Sequence, residues 1–245
     1  MKLKHVYVCA LALAMGFLPI LPLPLSAQKS VGKSIEVAPT NGNGSSVIQN
    51  KMYRYPEFKE GKVTFKNGTA TIANLNYNVF SGEAEFVKGE DTLAVDNLFT
   101  ISSISIGDDL YFYDQESKSL LQQLEKFRSA TLLVKEKYEV ADIKSKGAMG
   151  SSPSSIAATS ATQYADKSQT YNLKSSDNYK FKVKTSYYLA DLNDHYYEAS
   201  KRNISRLYPN AKDALIEYFR TNKVDFDNEA QLRELIQYIE GHSQK

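Results

Sequence analysis

Lys62-Val63-Thr64-Phe65-Lys66-Asn67-Gly68-Thr69-Ala70-Thr71-Ile72 is the stretch on which the fold turns. Val63 and Phe65 alternate with Lys62, Thr64 and Lys66, and residues 69–72 resume the alternation after Asn67-Gly68. A period of two places successive side chains on opposite faces of a strand. Asn-Gly between two such runs is the strongest short hairpin signal, because both residues tolerate a positive φ. The segment therefore predicts two antiparallel strands joined by a two-residue turn.

Reading downstream, further strands follow at short spacing over residues 82–88, 91–95 and 100–106. Gly107-Asp108 marks another turn before Leu110-Tyr111-Phe112-Tyr113. Leu120, Leu121, Leu124 and Phe127 fall at helical spacing, which predicts one short helix over residues 119–127. Residues 131–140 return to strand with Leu132 and Val134 facing the core, and Tyr179, Phe181 and Val183 alternate with three lysines that form a solvated strand face. Residues 145–170, rich in Ser, Ala, Thr and Gly, offer little to bury and read as a long exposed loop. The last fifty residues carry helical patterning. Leu215, Ile216 and Phe219 form one stripe, and Leu232, Leu235, Ile236 and Ile239 form a second, capped by Asp227-Asn228 with Gln231 three residues on. The expected fold is α+β: an antiparallel, β-rich meander or barrel-like domain over residues 51–190, then a helical region over 191–245 closing in an αα-hairpin.

Reading upstream, residues 28–50 form a leader of Ser, Gly and Asn that suits a mobile spacer. Residues 1–27 have the form of a cleavable signal peptide: Lys2, Lys4 and His5, an apolar run, and Leu25-Ser26-Ala27 before a polar stretch. Pro19, Pro22 and Pro24 do not suit a continuous spanning helix, so no transmembrane segment is expected after cleavage. The expected location is the periplasm, the outer-membrane surface or the medium. Cleavage has two chemical consequences. It takes away the two lysines that account for the formal charge of +2, so no excess of positive charge invites nucleic acid. It also removes Cys9, the only cysteine, and with it disulfides and thiolate metal sites.

The chemistry-bearing residues point to structure more than to a reaction. Asp225-Phe226-Asp227-Asn228-Glu229 lacks the central glycine and distant glutamate of a calcium loop and reads as a helix cap. His195 in Asp191-Leu192-Asn193-Asp194-His195 has no nucleophilic serine in a strand-turn-helix context. No glycine-rich loop followed by Lys-Ser/Thr is present, and no cofactor or metal is expected. Glu83 and Glu85 share one strand face, and with a second carboxylate nearby they would suit a hydrolase. The surplus is aromatic: 17 Tyr and 11 Phe without a tryptophan. Tyr53 and Tyr55, Tyr111 and Tyr113, and Tyr187 and Tyr188 come in pairs, with Tyr196-Tyr197 close behind. Exposed tyrosines offer rigid area and a hydroxyl to a sugar ring or a protein. The alternative reading is that half of each pair is core and half is strand surface.

Tyr53-Arg54-Tyr55-Pro56-Glu57-Phe58-Lys59-Glu60-Gly61-Lys62-Val63, Asn67-Gly68, Leu75-Asn76-Tyr77-Asn78 with Gly82-Glu83, and Asn203-Ile204-Ser205-Arg206-Leu207-Tyr208-Pro209 resemble uncharacterised secreted proteins of Bacteroidota. The resemblance implies an exported or envelope protein and carries no catalytic residues with it. Asp91-Thr92-Leu93 resembles the O-glycosylation motif of envelope proteins from that lineage, which makes Thr92 a candidate modification site. The sequence thus leads to the expectation of an exported, non-enzymatic envelope module that binds a protein or glycan through tyrosines. A secreted hydrolase using a carboxylate pair is the alternative.

Overall fold

The hairpin at Asn67-Gly68 forms with one more residue in its turn than the sequence predicts. In the computed structural model, which describes residues 34–37, 52–145 and 177–242, strands β2 (Lys59–Phe65) and β3 (Ala70–Asn78) are joined through residues 66–68. The Phe65 N–H donates to the Thr69 carbonyl at 2.9 Å and the Gly68 N–H to the Phe65 carbonyl at 3.0 Å. Only Gly68 has a positive φ, 85°. This is a tight turn followed by a left-handed residue, the usual three-residue hairpin. Asn67 contributes its side chain instead, accepting from the Thr69 N–H at 3.0 Å and the Thr69 hydroxyl at 2.7 Å. Gly61 is required for a different reason. A side chain there would run into the Ser105 carbonyl oxygen and Leu75.

From this hairpin the sheet grows both ways. The other strands are β1 (Ser34–Val37), β4 (Glu83–Lys88), β5 (Asp91–Ala94), β6 (Ile101–Ile106), β7 (Asp109–Asp114), β8 (Ser119–Lys126), β9 (Thr131–Ser145), β10 (Asp177–Ala190) and β11 (Tyr196–Glu198). They form one antiparallel sheet in the order β1-β10-β9-β8-β7-β6-β2-β3-β4-β5, with β11 beside β10. β5, four residues long and exposed throughout, forms one edge. The sheet curls without closing into a barrel. Its seam is marked by the Tyr138 N–H donating to the Val79 carbonyl at 2.9 Å and the Tyr77 hydroxyl to the Glu136 carbonyl at 3.1 Å.

Two expectations need correction here. Residues 119–127 are strand β8 and the start of a turn. Leu120 is buried on the inner face and Leu121 on the outer, and a bulge between Gln123 and Glu125 lets Leu124 reach a third set of neighbours. A strand buried on both faces and carrying a bulge mimics helical spacing. The second correction concerns the leader: Ser34–Val37 form β1, paired with Tyr179–Lys182 of β10, so part of the 28–50 stretch belongs to the sheet. The signal-peptide reading of residues 1–27 lies outside the described residues, as does the loop reading of 145–170 apart from Ser145, which ends β9.

The inner face carries two cores end to end. On β9, Leu132, Val134 and Tyr138 share one face by the period of two. Tyr138 belongs to a core with Leu75, Phe80, Ile104, Ile106, Tyr111 and Phe181, in which the Phe80 ring centroid lies 4.7 Å from that of Tyr138 and 4.8 Å from that of Phe181. Leu132 and Val134 belong to the other, which the helices complete. These are α1 (Lys201–Leu207), α2 (Lys212–Thr221) and α3 (Glu229–His242). α2 and α3 form the expected C-terminal pair. The stripe Leu232, Leu235, Ile236 and Ile239 is wholly buried, whereas Ile216 is 59% exposed and belongs to no stripe. Asn228 caps α3, its side chain accepting from the Gln231 N–H at 3.2 Å, and the Gln231 side chain accepts from the Asp225 N–H at 2.7 Å. The 191–245 region is not all helix, since β11 extends the sheet before α1 begins. Among the described residues no helix is long and apolar enough to cross a membrane.

Candidate functional site

The paired tyrosines separate by depth. Tyr55 and Tyr111 are core residues, 8% and 1% exposed, with their hydroxyls 3.0 Å apart. The Tyr55 hydroxyl donates to Asp109, whose other oxygen accepts from Gln122 Nε2 at 2.8 Å. Arg54 bonds Glu136 on β9 and lies 3.9 Å from Asp109 on β7. The Tyr77 ring stacks on Tyr111 with centroids 5.2 Å apart. Burial, reinforced by the bond to Asp109, pushes the Tyr55 hydroxyl up to about 12, and burial above all pushes Tyr111 up as well, so both are donors at neutral pH. The cluster ties the segment before β2 to β7 and β9 across the seam. Tyr187 is likewise buried in the helical core. Tyr53 donates to Glu85 at 2.6 Å and packs edge-on against Phe58. Tyr188 lies with Leu121, Leu133 and Ala190 on the outer face. The six tyrosines therefore do not share one exposed face. Alternation puts the adjacent Tyr187 and Tyr188 on opposite faces of β10, whereas Tyr111 and Tyr113, two apart on β7, share a face and differ in depth.

One of the six does reach a cavity. Tyr113 and the later pair Tyr196-Tyr197 line a groove of about 640 Å³ together with Lys66, Ile101, Ser102, Asp114, Gln115, Glu116, Asp194 and His195. Four pieces of chain separated widely in sequence build it: the end of β2, the start of β6, the β7–β8 turn and the β10–β11 connection. Each wall is fixed locally. Asp114 accepts from the Glu116 and Ser117 N–H groups, both at 3.1 Å, which folds the β7–β8 turn. Asp191 accepts from the Asn193 N–H at 2.8 Å, the His195 N–H at 2.9 Å and the His195 ring at 3.1 Å. Burial opposes ionisation of Asp191, but these bonds outweigh it and hold its pKa below the usual carboxylate value. Asp194 completes the connection at φ 59°. Tyr113 is braced by Phe99, ring centroids 5.5 Å apart, and Tyr197 by the Arg206 guanidinium 4.9 Å from its ring. Burial, then the carboxylates of Asp194 and Asp114, push the Tyr196 hydroxyl up to about 12.

The remaining candidates lie elsewhere. Glu85 is held by Tyr53 and by Asn78 Nδ2 at 2.7 Å, and neither it nor Glu83 lines the groove. Thr92 stands exposed in β5 opposite Val87. Asp225 and Asn228 serve the entry to α3, as a cap requires. Among the described residues no group of three or more His, Cys, Asp or Glu is gathered to hold a metal ion. Of the six tyrosines singled out in the sequence only Tyr113 lines the groove; Tyr196 and Tyr197 stand out there as aromatics, His195 is set aside, and Lys66, Glu116 and Asp194 receive no functional role. The available signal was that Asp114 and Asp194 sit in tight turns beside tyrosines.

Fold and site together define an open antiparallel meander with a helical plug and one aromatic, acid-lined groove. No protein-family model, curated protein or solved structure matches the chain.

Proposed function

We propose that this chain is an exported, non-enzymatic module of the cell envelope that binds a partner through the groove walled by Tyr113, Tyr196 and Tyr197. The groove carries the reading. Its volume falls in the range of small-ligand sites, roughly 300–1,000 Å³. Two of its aromatic rings, Tyr113 and Tyr197, are braced before any ligand arrives, which lowers the entropic cost of binding. The export half rests on the charged start, apolar run and Leu25-Ser26-Ala27 of the first 27 residues.

The test has two arms. Fractionation of cells expressing the full chain, with N-terminal sequencing, is expected to find a product beginning near Gln28 outside the cytoplasm. An unprocessed cytoplasmic chain overturns export. A glycan array and cross-linking capture run with wild type and Tyr113→Ala are expected to give bound species that the variant loses. A variant that retains every bound species overturns the groove.

A further inference from the structure

The groove is electrostatically one-sided. Asp114, Glu116 and Asp194 bring three carboxylates to its lining, and Lys66 is the single ammonium among those residues. His195 is turned to Asp191, a fourth carboxylate directly behind the wall. The Arg206 guanidinium, 4.9 Å from the Tyr197 ring, is already engaged there. The negative charge is also fixed in place: Asp114 is held by two backbone N–H groups, and Asp194 sits in a turn anchored by the Asp191 bonds. A concave, partly apolar site in which three carboxylates outnumber one ammonium concentrates cationic ligands, and tyrosine faces add cation–π attraction.

The walls also restrict the shape of the occupant. β6 is hydrogen-bonded to β2 and β7, and β7 to β6 and β8. Their ladders are therefore already filled, and an extended peptide finds no edge to join on that wall, while β11, only three residues long, pairs with β10 on one side. Recognition falls to side chains: flat tyrosine rings, carboxylates, and the hydroxyl of Ser102. Resting on the groove reading above, we propose that the groove's ligand is an amine-bearing saccharide, its ring against the tyrosines and its ammonium among Glu116, Asp194 and Asp114.

The test uses a short glucosamine oligomer and its fully N-acetylated counterpart, which differ in charge but not in backbone, by calorimetry in mildly acidic buffer. The free-amine oligomer is expected to bind more tightly and to weaken as salt is raised. The double variant Glu116→Gln/Asp194→Asn should weaken it by about two- to thirtyfold, the range for two exposed charge pairs, with an unchanged melting temperature. Asparagine accepts the left-handed backbone of position 194, so this variant removes charge without adding strain. Equal affinity for both oligomers, still lost in Tyr113→Ala, overturns the charge assignment and leaves the groove standing. Binding of neither oligomer overturns the saccharide. A lysine-rich peptide that competes at equal or higher affinity also overturns it, in favour of a basic protein partner.

Discussion

At the scale of single residues, the described fold depends on carboxylates that receive backbone N–H groups. Glu240, near the end of α3, accepts from the Arg128 N–H at 3.0 Å, the Ser129 N–H at 2.7 Å and the Tyr208 hydroxyl at 3.2 Å. One side chain thus ties the last helix to the β8–β9 turn. Glu240→Ala strands these donors and is expected to cost about 1–3 kcal/mol, read as a lowered urea midpoint with an unchanged slope. Asp191 gives a pH dependence with a definite sign. Its folded pKa lies below the usual value of 3.8, so its contribution is complete above that pH and fades as acid carries it through the lower folded value. Side-chain NMR titration is expected to show the depressed midpoint in wild type. His195→Ala removes one of its partners and should move that midpoint upward.

At the scale of elements, the seam and β8 are the places where local preference and tertiary context part. Arg54 joins the segment before β2 to Glu136 of β9, with Asp109 of β7 beside it. Arg54→Gln removes the bridge between two carboxylates and is expected to destabilise by about 1–3 kcal/mol. Hydrogen exchange at the Tyr138 amide, bonded across the seam to Val79, should quicken first. Leu121 is wholly buried on the outer face, so Leu121→Ala is expected to cost about 2–5 kcal/mol, where an exposed helical position would be nearly silent. That contrast also shows how far the sequence could be read. Alternation needs one buried face and one wet one, and β2 has them in Val63 against Lys62, so with the Asn67-Gly68 turn its hairpin was legible even though Ile72 of β3 is 69% exposed. β8 is covered on both faces and bulged, so its leucines lose the period of two. Tyr113, Tyr196 and Tyr197 stood out as aromatics, but their meeting depends on three turns distant in the chain. No local pattern encodes that meeting.

At the scale of the whole molecule, the two inner-face cores share β9 and β10. Tyr138 and Phe181 serve one, and Val134 and Tyr187 the other, along the same two strands. Unfolding of the helical plug therefore exposes strands on which the other core also depends. A single cooperative transition is expected, with far-ultraviolet circular dichroism and tyrosine fluorescence coinciding. Ile236→Ala, at a wholly buried site in the plug, should shift both curves together by about 2–5 kcal/mol. If the dichroism and fluorescence midpoints separate, the cores are independent.

The short edge strand β5 governs how the protein behaves in a crowd of its own copies. An unpaired strand edge is a template on which another chain can assemble, and native sheets blunt it by brevity and charge. β5 has both, spanning only Asp91–Ala94 and entered through Lys88-Gly89-Glu90-Asp91. Leu93, 43% exposed, and Val87, 40% exposed, would otherwise offer a sticky rim. Glu90→Thr/Asp91→Val should leave the melting temperature nearly unchanged while light scattering grows with concentration, so solubility at this edge is set by two carboxylates that stability does not need.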